Sequence, residues 1–307
     1  MAFTINITDS VAIDPSKRIA YETAFLTANL QANVMDALAV QKSVPGAEAI
    51  KMSRYTFSST GDGAIAETDD ATSTKVESTA VLFVPEERAV VATISNLSSL
   101  VTGGQIDLAA PTVVGNDFAG IRNRLAGKAL DASSNVLTAN GGLVADIAAT
   151  DILTGALMNK AYNKLARANV KQLGNFYVIV AHDDVIADLR ADASVGSWTD
   201  VNKYATPGTV LTNEVGTYKG FRVIRNNDAT ITADAGAGAV DVYNSYVLGY
   251  NGLGYAESMT PELRLRDGND KIGRFYNLSA YGVFKYGIVD PEAAWVIKSA
   301  SSLGANA

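Results

Sequence analysis

His182 is the single histidine of the chain, and Asp183 and Asp184 follow it directly. An imidazole beside a carboxylate is the pairing that makes a general base, the carboxylate orienting the ring while the ring takes a proton. The same triplet has a plainer use. It lies between the apolar run Phe176-Tyr177-Val178-Ile179-Val180 and a stretch carrying Val185, Ile186 and Leu189, so Asp183 is placed to cap a short helix that leaves the end of a strand. No nucleophile in a G-x-S-x-G setting accompanies it, and neighbouring residues on a chain seldom point into one site. A cytoplasmic hydrolase using His182 and Asp184 is therefore the minor alternative.

The other motifs weaken in the same way. Gly61-Asp62-Gly63-Ala64-Ile65-Ala66 has the glycine spacing of a dinucleotide fingerprint, but no helical period follows, and Glu67, Asp69 and Asp70 come too soon to reach a ribose. Asp267-Gly268-Asn269-Asp270 clusters oxygens, yet Lys271 stands where a calcium loop needs a ligand and no glutamate follows at the required distance, so a solvated turn is expected. Arg122, Arg124 and Lys128 form a basic stripe on a helix, without stacking aromatics nearby, and read as a solvated face or as ion-pair partners. With no cysteine and one histidine, disulfides, thiolate sites and His/Cys zinc sites are excluded. The net charge of −7 gives no general attraction to phosphate backbones. No catalytic residue, metal or cofactor is expected.

The elements that would position these residues form an α+β pattern without the regular alternation of a doubly wound sheet. A chain of 307 residues, 48% of them hydrophobic, can bury one large or two small cores. The first residues lack a basic, apolar leader, and no stretch approaches the roughly 20 apolar residues of a membrane span. A helix is predicted from Asp14-Pro15 through Leu38, ending near Ser43-Val44-Pro45-Gly46. Ile50 to Ala92 reads as a long hairpin, with a tip at Ser58-Ser59-Thr60-Gly61-Asp62-Gly63 that contains almost nothing to bury and so needs another surface to lie on. A long amphipathic helix follows Pro111, and Thr150-Asp151 is placed to cap a third through Leu157, Ala161 and Leu165. Thr209-Val210-Leu211 and Tyr218 to Ile224 are expected to pair across a turn at Asn213-Glu214-Val215-Gly216. Tyr246-Val247-Leu248, Phe275 to Ile288 and Ala294 to Ile297 read as strands, with turns at Gly249, Gly252 and Gly254, and the tail from Ser301 as disordered.

The order of these pieces, together with several segments, resembles the major capsid proteins of tailed bacteriophages, the Hong Kong-type or Johnson fold. The segments are Phe176 to Arg190, the glycine-flanked Gly216-Thr217-Tyr218-Lys219-Gly220-Phe221-Arg222-Val223, Tyr246 to Gly254, and Tyr281-Gly282-Val283-Phe284-Lys285-Tyr286-Gly287-Ile288-Val289-Asp290-Pro291. The resemblance implies an N-arm at 1–48, an extended loop with flanking strands at 49–92, a peripheral domain with a spine helix at 93–135, an axial domain at 136–262, and returning peripheral strands with the tail at 263–307. It implies self-assembly into pentamers and hexamers of an icosahedral head enclosing double-stranded DNA without sequence-specific binding. Residues Ser58, Ser59, Thr60, Gly61, Asp62, Gly63, Asp69 and Asp70 would make the intersubunit contact. Portal and scaffolding proteins are implied as partners, a decoration protein is compatible, and no membrane is involved. The location would be the virion, preceded by the host cytoplasm. The short N-terminal segment suggests a separate or already processed scaffold. Lys51 and Lys75 lie in the loop that some members cross-link, but no local pattern supports such a bond here. An encapsulin-like shell around a protein cargo is the alternative within the same fold.

Overall fold

The computed structural model describes residues 15–57, 67, 76–191, 214–267 and 274–304. In chain order its elements are α1 (Pro15–Ala32), β1 (Val40–Ser43), β2 (Ile50–Phe57), β3 (Val76–Phe83), β4 (Glu86–Ser95), α2 (Asn96–Val101), α3 (Gln105–Asp131), β5 (Val136–Thr138), α4 (Gly155–Arg167), β6 (Tyr177–Ala181), α5 (Asp183–Ala191), β7 (Glu214–Tyr218), β8 (Phe221–Arg225), β9 (Ile231–Thr232), β10 (Val242–Leu248), β11 (Leu253–Asp267), β12 (Phe275–Ile288) and β13 (Ala294–Ser299). They assemble into a four-stranded sheet ordered β1-β11-β12-β4, a seven-stranded sheet ordered β5-β13-β10-β6-β8-β7 with β9 also on β10, and the separate two-stranded ribbon β2-β3.

The spine of the molecule is α3. Two adjacent rows at four-residue spacing, Val114-Phe118-Arg122-Ala126-Leu130 and Gly115-Ala119-Asn123-Gly127, are buried along it, as expected of a helix laid across a sheet. Phe118 meets the edge of Phe284 on β12 and packs beside Phe25 of α1. Gly115 permits the close approach of α1: a Cβ there would lie 2.8 Å from the Phe25 carbonyl oxygen. A second core forms where α4 and α5 cover the seven-stranded sheet, through Leu157, Met158, Leu165, Ile186, Ile179 and Val223.

The helix expected to run to Leu38 stops at Ala32. Asn123 is the physical reason: its Oδ1 accepts from the backbone N–H of Val34 at 3.1 Å and of Met35 at 3.4 Å, while its Nδ2 donates to the Ala32 carbonyl at 3.0 Å. A tertiary side chain thus replaces the next turn's bonds. The long helix begins at Gln105, ahead of Pro111 rather than after it. Proline forgoes one backbone bond, and the preceding turn is held instead by Asp107, which accepts from Ser99 and from Tyr276.

Four further expectations are corrected. The cap of α4 is Thr154, whose hydroxyl accepts from Leu157 N–H, while Asp151 accepts from Ala148 N–H. The β7–β8 turn lies at Lys219-Gly220, with φ of 50° and 82°, the pair of positive angles that a two-residue hairpin turn demands; the register shifts inside β7 between Glu214 and Gly216, and Gly216 pairs with Val223. Thr209 to Leu211 lies outside the described residues, as does the Gly268 to Lys271 part of the acidic turn. Gly254 sits within β11, not at a turn. The tail is partly tied down: buried Asp188 accepts from Ser302 N–H at 3.0 Å and from its hydroxyl.

Candidate assembly surface

The ribbon β2–β3 is an antiparallel pair in which residues opposite one another share a face, giving Ile50↔Phe83 and Met52↔Val81 on one side and Lys51↔Leu82, Ser53↔Ala80 and Tyr55↔Ser78 on the other. The first face is anchored at its root. Ile50, Met52 and Phe83 pack with Ala256 and Val289, and Arg54 pairs with Asp290 at 2.9 Å. Among the described residues nothing covers the second face: Tyr55 is 71% exposed and Leu82 64%. The ribbon ends before the hairpin's expected return through Val90, because β4 leaves it and pairs with β12. The tip residues Ser58, Ser59, Thr60, Gly61, Asp62, Gly63, Asp69 and Asp70, with Lys75, lie outside the described residues.

A second uncovered apolar surface stands at the start of the spine. Leu97, Leu100 and Val101 of α2 and Leu108 of α3 are each at least 70% exposed. The sequence reading misses it, because a six-residue helix carries too few repeats to stand out. The usable signal is the run Leu97-Ser98-Ser99-Leu100-Val101, apolar at helical spacing beside a glycine pair.

The chemistry-bearing residues are drawn into structure instead of a site. Nδ1 of His182 lies 3.2 Å from Asp184 N–H and 3.2 Å from Asp184 Oδ2, so the imidazole caps the first turn of α5. Tyr243 donates to the same carboxylate at 3.0 Å, and burial, with this bond next, pushes its phenol up to about 12. Among the described residues, no serine or threonine hydroxyl reaches His182 within hydrogen-bond distance. Asp183 faces Arg225 at 3.5 Å.

The basic stripe is dispersed. Arg122 is buried, ion-paired with Asp36, hydrogen-bonded from Nε to the Tyr286 hydroxyl at 3.2 Å, and stacked over Tyr255. Burial opposes its charge, but Tyr286, Asp36 and Tyr255 together outweigh that and hold it above its ordinary value. Arg124 pairs with Asp228 at 3.1 Å, and Lys128 is exposed. Glu86 is held below its ordinary range, first by the hydrogen bond from Lys285.

No family model and no curated protein sequence matches the chain. Solved structures do. The capsid of Ralstonia phage GP4 is similar at a TM-score of 0.71 and 10% identity, over 86% of this chain and 87% of that one. The capsid of cyanophage Pam1 gives 0.66 and 10%, over 90% and 94%. A virus-like particle from Pyrococcus furiosus gives 0.56 and 11%, over 90% and 97%. The chain therefore has the Hong Kong-type capsid fold of tailed phages.

Proposed function

We propose that this chain is the major capsid protein of a tailed bacteriophage, self-assembling into pentamers and hexamers of an icosahedral head around double-stranded DNA. The observation that carries the proposal is the β2–β3 arm. It is rooted in its own molecule on one face and leaves Tyr55 and Leu82 bare on the other, a state that a monomer has no reason to keep and that a neighbour relieves. The contact is heterologous, arm on one molecule and receiving surface on the next, so it closes into rings and shells. Many such modest contacts hold a shell by multivalency while each stays reversible during assembly.

In this reading 136–262 is the axial domain at the capsomer centre, and 93–135 with α3 belongs to the periphery. The tip residues 58–63 with Asp69 and Asp70 reach the neighbour, and portal and scaffolding proteins are partners in the host cytoplasm before the virion forms. The net charge of −7 suits a container that does not grip its DNA. The role is structural rather than enzymatic, since His182 serves as a helix cap.

Electron microscopy of the purified chain tests this: closed shells are expected. Tyr55→Asp combined with Leu82→Glu should abolish them while leaving a folded protein by circular dichroism. A wild-type chain that stays monomeric at high concentration under all conditions overturns the proposal. The likeness to the virus-like particle keeps a second reading in view, a shell around protein cargo. Particles isolated from the native source decide it, since DNA-filled heads on tails and protein-filled spheres differ on sight.

A further inference from the structure

The net charge of −7 hides one basic face. From Ile152 to His182 the chain has four cations, Lys160, Lys164, Arg167 and Lys171, and no acid. Steps of four and three residues set the first three on one side of α4, beside the row Leu157, Met158, Ala161 and Leu165 that the helix buries, and Lys171 follows just past its end. All four are exposed. Two more cations border the same helix. Lys298 of β13 lines a cleft of about 470 Å3 with Lys160, Thr138 and Gly142, and no carboxylate lines it. Lys219 stands on the other flank, in the β7–β8 turn, where a Cβ on Gly220 would come within 2.7 Å of the Tyr162 ring of α4.

Among the described residues none of these six cations is ion-paired. Lys164 lies over Trp295, Lys171 over Tyr250 and Lys219 over Tyr218, at 5.9, 5.3 and 5.4 Å from the ring centroids. Elsewhere cations meet carboxylates, as Arg54, Arg122, Arg124, Arg225 and Lys285 do. The helix dipole accounts for Lys164 and Arg167, which stand in the last turn of α4 where positive charge is favoured. It does not account for Lys160, Lys219 or Lys298, and like charges four residues apart on a helix repel. The other exposed residues of α4 are Ala156, Asn159, Asn163 and Ala166. A protein partner needs an apolar, aromatic centre to bury. A cationic face with side-chain amides and nothing larger than alanine to bury has instead the composition of a surface that meets nucleic acid.

We propose that this face binds the phosphate backbone of double-stranded DNA without reading its sequence. Lys160, Lys164 and Arg167 meet phosphates along about 10 Å of helix, the amides of Asn159 and Asn163 donate to phosphate oxygens, and Lys171, Lys219 and Lys298 add charge at the rim. The choice of double-stranded DNA as the polyanion rests on the capsid reading; the basic face itself does not. Binding of this kind is driven by counterion release and falls steeply with salt, so the contact is weak at physiological ionic strength, in keeping with an acidic chain as a whole.

Fluorescence anisotropy of a labelled DNA duplex of arbitrary sequence, titrated with the full chain, tests this. Binding is expected at about 50 mM salt, with a log–log salt slope near −4, which corresponds to about four to five phosphate contacts. Lys164→Gln with Arg167→Gln should weaken binding about tenfold or more and make the slope shallower by about 2. Lys128→Gln with Arg266→Gln, which removes the same charge from exposed cations elsewhere, should leave the slope unchanged. Lys171→Gln with Lys219→Gln, outside any helix, repeats the test if circular dichroism shows the α4 variant unfolded.

No binding at about 50 mM salt overturns the proposal. So does an equal loss in the Lys128 and Arg266 variant, or wild-type binding by the variants of the basic face. Variants of that face that lose particles while the duplex binds unchanged overturn it as well, by assigning the face to the acids of a sister molecule. The capsid reading fails separately: a chain that binds the duplex and never forms shells refutes that reading alone, and a chain that forms shells but ignores the duplex refutes only this one.

Discussion

Gly254 and Gly287 stand opposite each other in the β11–β12 register, and Phe83 of the arm lies over both. A Cβ on Gly287 would come within 2.5 Å of the Phe83 ring, and one on Gly254 within 3.2 Å of it and 2.5 Å of Val289. The two glycines make the slot that seats the root of the arm.

Gly287→Ala should therefore push Phe83 out of place. Overpacking of this kind costs about 1–3 kcal/mol, and the arm's direction changes with it. We expect a lower melting temperature and loss of closed shells in electron micrographs. Gly142→Ala, where a Cβ meets nothing nearer than 3.9 Å, serves as the neutral control. Normal shells from Gly287→Ala would show that the slot does not set the arm.

Asn123→Leu should unlatch the end of α1. The substitution removes the acceptor for Val34 and Met35 and the donor to Ala32, leaving buried backbone groups unpaired at about 1–3 kcal/mol for each lost partner. Asn123→Asp keeps the acceptor but loses the donor, and it places a second carboxylate beside Asp228, which now takes a 3.3 Å bond from Nδ2. Urea unfolding should rank wild type above both variants, and faster hydrogen exchange should appear at residues 32–38.

How far these features are legible in the sequence depends on whether one segment or two must be read. The strand Phe275–Ile288 appears at its observed bounds because its own alternation and aromatics suffice. Its partner β11 is hidden, since Pro261 and the charges Glu257, Glu262, Arg264 and Arg266 interrupt the apolar pattern and its register with β12 shifts twice. The arm is legible as a hairpin because its tip is polar. Its anchor is not, because Phe83, Gly254 and Gly287 meet only through tertiary structure. Arg122 and Arg124 look alike in sequence, and only the fold brings Asp36 to one and Asp228 to the other.

Arg122→Met should expose how far Asp36 depends on it. Removing one partner of a buried pair leaves an uncompensated charge, which costs about 3–5 kcal/mol. Adding Asp36→Leu removes that charge, so the double variant should be more stable than Arg122→Met alone, with a coupling of about 1–3 kcal/mol in a double-mutant cycle. Additive losses would mean that the pair is not coupled.

Stability should fall on the alkaline side. Tyr243 is pushed up to about 12, and Tyr246, Tyr255, Tyr276 and Tyr286 are also raised, in each case first by burial, with Asp184, Asp131, Glu257, Asp107 and Asp36 respectively adding to it. The folded state therefore favours neutral phenols, whereas unfolded tyrosines ionise near pH 10. The sign follows from proton linkage: the contribution is fully present below about pH 10 and is lost as pH rises through 10 toward 12 and beyond. Phenolate absorbance followed with near-ultraviolet circular dichroism should show one steep step, with these tyrosines ionising as the fold is lost. Tyr243→Phe, which removes one of the raised phenols, should shift that step to higher pH. A gradual, reversible titration of all 13 tyrosines centred near the free value, with the circular dichroism unchanged, would mean that none of these phenols is held by the fold.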